Sequence, residues 1–246
     1  MIIIVLIVLS LFWGSFLGVL ASRRTIGASA LWGRSKCLKC KKTLNWFELI
    51  PIISFLFLKG KCSGCRKRIS YFYPVVEILT VVIVLLAIIS ENNIVATIIL
   101  IFAYSVMLVG SIRDILWQEV ESWILIAIVV LSLAYALASR GFVIQDLVIS
   151  LVGGIIIPLL FVVLSHEKWM GWGDVFFAAA LGLILGQKYV YWGIVSSFII
   201  GGLFAIILIA TGRANLKSRI SFGPFIFVAV LIVKLLSVLT TGFFPY

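Results

Sequence analysis

The chain has 246 residues, of which 63% are hydrophobic and 12% charged, with a formal net charge of +11 and a mean hydropathy of +1.27. Soluble globules run at roughly half apolar and a quarter charged residues, so this composition excludes a water-soluble domain and indicates a polytopic membrane protein. The positive charge does not indicate nucleic acid: twelve of the twenty Lys and Arg lie between Arg23 and Arg68, and a local bias of this kind sets orientation in a membrane.

Residues 1–20 are apolar and uncharged, and the first basic residues, Arg23 and Arg24, follow them. A secretory signal has the reverse order, so this stretch is expected to be an uncleaved first span with its N-terminus outside. A ruler of about 20 residues per span predicts eight spans: 2–21, 74–90, 94–112, 123–138, 147–164, 175–185, 191–210 and 222–239. With the N-terminus outside, the cytoplasmic segments are 22–73, 113–122, 165–174 and 211–221. They hold seventeen of the twenty Lys and Arg, the exceptions being Arg140, Lys188 and Lys234. This count meets the positive-inside rule. It puts Asp114 and Asp174 on the same, cytoplasmic, side.

The expected fold class is therefore an all-α polytopic membrane protein of about eight transmembrane helices, with a small zinc-ribbon-like cytoplasmic insertion after the first helix. The expected domains are the first helix at 1–21, a cytoplasmic four-cysteine zinc-binding domain at 22–73, and a transmembrane domain at 74–246.

The insertion holds all four cysteines as two CxxC pairs, Cys37/Cys40 and Cys62/Cys65, with 21 residues between the pairs. Four thiolates at this spacing suit a tetrahedral structural zinc site. Flanking Lys39, Lys41, Lys61 and Arg66 offset its negative charge. A pair of redox-active dithiols is the alternative, and disulfides are disfavoured in a reducing cytoplasm. The apolar run 44–56 between the pairs is too short to span. It is expected along the membrane face or against the ribbon, with Trp46 and Phe47 at the interface.

Two acids stand at the edges of apolar runs. Asp114 follows the run 94–112, and Asp174 follows Gly171-Trp172-Gly173 and opens the run 175–185. A charge at the centre of a span costs on the order of 2.5–3.5 kcal/mol, so such acids mark working sites by default. Gly171 and Gly173 are expected to let the backbone turn tightly and bring an extended peptide close. Two carboxylates brought together share a proton and act as base and acid on one water. The plainer readings are a helix-end carboxylate or a partner of Arg113 for Asp114, and a helix N-cap for Asp174. Other chemistries are poorly supplied: His166 is the one histidine, and no GxSxG elbow, HExxH helix or phosphate-binding glycine loop is present. Glu77 is expected to pair with a loop Arg or to face the cavity of the two acids, while Glu119 and Glu121 are expected to be solvated.

These residues together resemble the type IV prepilin peptidases (prepilin leader peptidase/N-methyltransferases), a family of intramembrane aspartic proteases. The likeness rests on Gly14-Ser15-Phe16-Leu17, the two CxxC pairs, Leu49-Ile50-Pro51, Lys59-Gly60-Lys61-Cys62, Ile69-Ser70-Tyr71, Tyr73-Pro74 with Glu77, Gly171-Trp172-Gly173-Asp174 as a GxGD motif, and Phe222-Gly223-Pro224-Phe225. It departs from the family at Gly18, at Glu121-Ser122 where the family has Pro-Asp/Asn, and at Phe176 where lysine is frequent. The resemblance implies catalytic roles for Asp114 and Asp174 and cleavage of the basic leader of prepilin or pseudopilin substrates at the cytoplasmic face of a bacterial inner membrane. It also implies N-methylation with S-adenosylmethionine, for which the sequence spells no glycine loop. Expected partners are those substrates and the lipid bilayer. The alternative is a proton-coupled transporter or an assembly factor using the two acids as a proton or cation site.

Overall fold

The computed structural model describes residues 2–23, 35–37, 39–213, 215, 218 and 220–243. Arg24, and the other expected cytoplasmic residues in the gaps of that range, lie outside the described residues. Among the described residues the long elements are all helical: α1 (Ile2–Ser22), a 3-10 turn (Trp46–Leu49), α2 (Ile53–Phe57), α3 (Phe72–Ser90), α4 (Ile94–Trp117), α5 (Ser122–Arg140), α6 (Ile144–Ser165), α7 (Trp172–Ala210) and α8 (Gly223–Phe243). The runs are rich in Val and Ile, yet they form helices, because a lipid-embedded backbone must satisfy its own N–H and C=O groups. Among the described residues seven helices are long and apolar enough to cross a membrane. The protein is an all-α multi-pass membrane protein with a four-cysteine insertion after its first helix.

The chain forms two compact units, Met1–Leu85 and Leu86–Tyr246. The expected division between residues 73 and 74 falls inside the first of them. In that unit α1 crosses α3 at a glycine: a Cβ on Gly14 would stand 2.8 Å from Glu77 Cα and 3.0 Å from Thr80 Cβ. Small residues permit such close backbone approach in membranes. In the run 44–56, Trp46, Phe47, Leu49, Ile53 and Leu56 are exposed, so of the two expected placements these side chains do not take the one against the ribbon.

In the second unit the fifth to seventh expected spans become α6 and α7. Helix α7 is 39 residues long but carries one non-helical residue, Gly186, at φ 75 and ψ 171. There the chain reverses. A Cβ on Gly193 would lie 2.5 Å from Leu185 Cδ1 and 2.8 Å from Leu181 Cδ2, whereas residues 181 and 193 of a straight helix stand about 18 Å apart. The two legs, 172–185 and 187–210, are the sixth and seventh expected spans, and the first is only about 21 Å long.

Arg140 and Asp146 close this hairpin. The Arg140 guanidinium donates to the carbonyls of Leu183 (2.6 Å) and Ile184 (3.5 Å), which end the first leg, and to Asp146 Oδ2 (2.8 Å). Asp146 Oδ1 accepts the Gln187 N–H that opens the second leg, at 3.2 Å. Helix ends leave such groups orphaned, and in lipid they need a partner. The first leg packs on α6 through bare backbone: a Cβ on Gly182 would collide with the Ser150 carbonyl, and one on Gly154 with the Ala178 carbonyl.

Near the start of α4, Lys234 of α8 donates to Glu91 at 2.9 Å and to the Tyr135 hydroxyl at 2.7 Å, and that hydroxyl donates to Glu91. Two of the three basic residues outside the expected cytoplasmic segments, Arg140 and Lys234, are thus engaged in internal ion pairs.

Candidate active site

Helix α4 runs past the expected boundary at residue 112 to Trp117, so Asp114 sits within its last turns. Its carbonyl accepts the Gln118 N–H at 2.9 Å, and Gln118 ends the helix in the left-handed conformation. Two acceptors of Asp114 reach α8. Its carbonyl also takes the Ser221 hydroxyl at 2.7 Å, and its carboxylate Oδ2 takes the Gly223 N–H at 3.2 Å.

Asp174 is the third residue of α7. The N-cap is Gly171, extended at φ −93 and ψ 163, so the expected N-cap role of Asp174 passes to Gly171. Instead the Asp174 carboxylate reaches back to accept the Gly171 N–H at 3.2 Å. A carboxylate in a first helical turn is also favoured by the helix dipole. Neither Gly171 nor Gly173 has a positive φ, so neither position needs the left-handed conformation that favours glycine. A Cβ on Gly171 would meet nothing within 4 Å, and one on Gly173 only Leu125 Cδ2 at 3.9 Å. The backbone beside Asp174 is therefore open.

The two half-buried acids come together in this unit. Asp114 lies close enough to act electrostatically on Asp174, and the Gly223 N–H reaches both carboxylates. Phe177, 1% exposed, forms an apolar floor one turn below Asp174. A Cβ on Gly110 would stand 2.9 Å from its ring and one on Gly223 3.4 Å from it. The arrangement is two carboxylates over hydrocarbon, with a fixed donor between them and open backbone at one side. That set can hold one proton between two acids and activate a water.

The neighbours of the acids differ from expectation. Buried Arg113 forms an ion pair with Glu121, so Glu121 is not simply solvated, and it is also the N-cap residue of α5. His166 closes α6 in the left-handed conformation at φ 48 and is exposed. In the first unit Glu77 is buried and accepts the Ile52 N–H at 2.8 Å. Ile52 has φ 59 and ψ −50, and the Ile53 N–H closes a γ-turn on the Pro51 carbonyl at 2.5 Å. A β-branched residue in that region stores about 1–3 kcal/mol of strain, which the surroundings must hold.

The four cysteines form a separate centre. Their Sγ atoms all lie within 4.8 Å of one another, with Cys37–Cys65 and Cys40–Cys62 each at 4.0 Å. None is in a disulfide. Zinc–sulfur bonds of about 2.3 Å in a tetrahedron place sulfurs about 3.8 Å apart, so the set fits a metal ion. The two knuckles are built alike. Cys37 accepts the Lys41 N–H and donates to the Lys42 carbonyl, Cys62 does the same with Arg66 and Lys67, and all four bonds are 2.9 Å. Lys41 and Arg66 each turn at positive φ. The N–H groups of Cys40 and Lys39 hold the Cys37 thiol down to about 6, whereas Cys40, despite the Lys42 N–H, is pushed up to about 11 by burial and its sulfur neighbours. Glu48 ties the knuckles together. It accepts the Asn45 N–H at 2.7 Å and the Ser63 hydroxyl, and Lys42 donates to Ser63 at 2.7 Å. The Ser63 hydroxyl, then the Asn45 N–H, hold the Glu48 carboxyl below its ordinary range.

Ser221, Gly223, Glu48 and the Ile52 N–H carry no role in the sequence reading. Only the Phe222-Gly223-Pro224-Phe225 motif hinted at one.

Comparison with known proteins follows the two units. Residues 8–90 match the bacterial peptidase A24 N-terminal domain, and residues 101–206 match the type IV leader peptidase family. A prepilin leader peptidase/N-methyltransferase of Bacillus subtilis (strain 168) is 29% identical over 89% of this chain and 88% of its own length. Proteins of the same description from Myxococcus xanthus (strain DK1622) and Neisseria gonorrhoeae are each 30% identical. They cover 87% and 77% of this chain, and 65% and 66% of their own lengths. No solved structure matches the chain. With both of its parts matched in order, the chain belongs to the type IV prepilin peptidase family.

Proposed function

We propose that this prepilin peptidase is an intramembrane aspartic endopeptidase that removes the leader of type IV prepilin or pseudopilin substrates at the cytoplasmic face of a bacterial inner membrane. The observation that carries the reading is the convergence of Asp114 and Asp174 on the Gly223 N–H over the apolar floor of Phe177. In the mechanism the pair holds one proton. The ionised carboxylate takes a proton from water as the water oxygen attacks the scissile carbonyl carbon. The protonated partner donates a hydrogen bond to the developing oxyanion. Collapse of the intermediate breaks the C–N bond, and the proton taken from water passes to the leaving amine. The open backbone at Gly171 and Gly173 gives an extended substrate room to approach Asp174.

The four-thiolate set fits a structural zinc ion, held by Cys37, Cys40, Cys62 and Cys65. Four cysteine ligands leave no position for substrate, so the metal's work is to fold the loop. The relatives' names include N-methyltransferase. S-adenosylmethionine is the methyl donor that this name implies, and the described residues present no glycine loop for it. The orientation with N-terminus outside follows from the basic loops.

The test is incubation of the purified full chain with a prepilin bearing its leader, comparing wild type with Asp114→Asn and Asp174→Asn. Both variants are expected to be inactive, and cleavage by either would sink the two-carboxylate mechanism. A transporter or assembly factor predicts no cleavage by wild type. The mass of the new N-terminus reads methylation in the same samples.

A further inference from the structure

We propose that the segment leading into α8, Ser221 to Gly223, is a positioning element of the reaction: the Gly223 N–H aligns the two carboxylates, and the Ser221 hydroxyl latches that donor to the backbone of Asp114. The proposal rests on the acid-pair reading above and adds to it residues outside both acids and outside the GxGD motif. Four observations converge. The Gly223 N–H donates to Asp114 Oδ2 at 3.2 Å and also reaches Asp174. The Ser221 hydroxyl donates to the Asp114 carbonyl at 2.7 Å, across 107 residues of sequence. A Cβ at position 223 would come within 3.0 Å of Asp114 Oδ2 and 3.4 Å of Phe177, so any side chain there presses on the carboxylate. Gly223 is also the first residue of a 21-residue helix, whose N-terminal partial positive charge faces the acids.

A single fixed donor between two acids restricts how they can rotate. Each carboxylate is free about its last torsion, and a proton is shared only when facing oxygens are in line. The Gly223 N–H fixes one oxygen of Asp114, and the Gly171 N–H fixes one of Asp174. The remaining oxygens are left for the shared proton and for water. Donor and latch both depend on α8 being seated against the end of α4. Misplacement of reacting groups by about 1 Å costs on the order of a hundredfold in rate.

The test uses Ser221→Ala, Ser221→Thr and Gly223→Ala in the purified full chain, with wild type and Asp114→Asn alongside. Ser221→Ala removes the latch without adding volume, and Ser221→Thr keeps the hydroxyl. Ser221→Ala is expected to lower kcat on the order of tenfold or more, leave KM unchanged, and displace the acidic limb of the kcat–pH profile, because the donors at a carboxylate set its ionisation. Ser221→Thr is expected to restore wild-type behaviour. Gly223→Ala is expected to lose more, because its Cβ meets the carboxylate. A Ser221→Ala enzyme with wild-type kcat and a superimposable pH profile overturns the proposal while wild-type cleavage keeps the acid-pair reading intact. A readout that needs no turnover is carbodiimide labelling of Asp114 and Asp174, followed by mass spectrometry. Altered labelling in Ser221→Ala, reversed in Ser221→Thr, supports the latch, and identical labelling in all three overturns it even where wild type cleaves nothing.

Discussion

Gly182→Ala adds one methyl group, and the structure gives it no room. The new Cβ would run into the Ser150 carbonyl of α6, and the facing Gly154 already stands against the Ala178 carbonyl. Neither contact is the tip of a flexible side chain, so relief requires the two helices to separate. Overpacking of this kind costs about 1–3 kcal/mol, against which the better helix propensity of Ala returns only about 0.5–1 kcal/mol. The larger effect is on rate. Gly182 is eight residues after Asp174 and so about 12 Å along the same leg, too far to touch substrate. Yet the leg carries Asp174, and a displacement near 1 Å lowers the rate on the order of a hundredfold. Leader cleavage by the purified protein, with thermal unfolding in detergent, measures both effects. Gly202→Ala is the control, because a Cβ there meets nothing within 4 Å, and it is expected to keep wild-type rate and midpoint. A Gly182→Ala enzyme with wild-type rate and midpoint would refute the backbone-to-backbone contact as the device that seats Asp174.

Further predictions concern groups away from the acids. Arg140→Met strips the Leu183 and Ile184 carbonyls and Asp146 Oδ2 of the guanidinium donor, and is expected to lower the unfolding midpoint by an amount equivalent to about 1–3 kcal/mol; an unchanged midpoint would remove the hairpin clamp. Glu48→Gln is expected to make the cysteine loop more sensitive to proteolysis at pH 7, by about 1–2 kcal/mol. Because the folded Glu48 carboxyl lies below its ordinary range, its contribution is present above about pH 4.3, the unfolded value, and is lost as pH falls through the folded value. The gap between wild type and Glu48→Gln should therefore close in acid, and a gap that widens there contradicts the assignment. Cys62→Ser removes one of four sulfurs and is expected to abolish bound zinc in elemental analysis; undiminished zinc would place the metal elsewhere.

The spans were legible because apolar runs in lipid have one structural solution, and the four cysteines because CxxC spacing encodes its own turn. Asp114 and Asp174 were legible as costly charges, and their common side followed from counting Lys and Arg. The end of α4 was not legible. Arg113 and Asp114 look like the start of a loop, but Arg113 is buried with its partner Glu121 eight residues on, and the helix continues to Trp117. Nor was the partner of Glu77 legible, since a backbone N–H 25 residues away leaves no side-chain signal. Gly223 was visible only as part of a motif, because a backbone donor is the same in every residue but proline.

The reversal at Gly186 also fixes a matter of parity. Without it the second unit's helices α4 to α8 would make five crossings, and the start of α4 and the end of α8 would emerge on opposite faces of the bilayer. With it they make six and emerge on the same face. The contacts agree with six: α8 begins at Asp114, near the end of α4, and by Lys234 it has reached Glu91, just before α4 starts. One residue in the left-handed region, at φ 75, therefore decides on which face α8 ends relative to the start of α4.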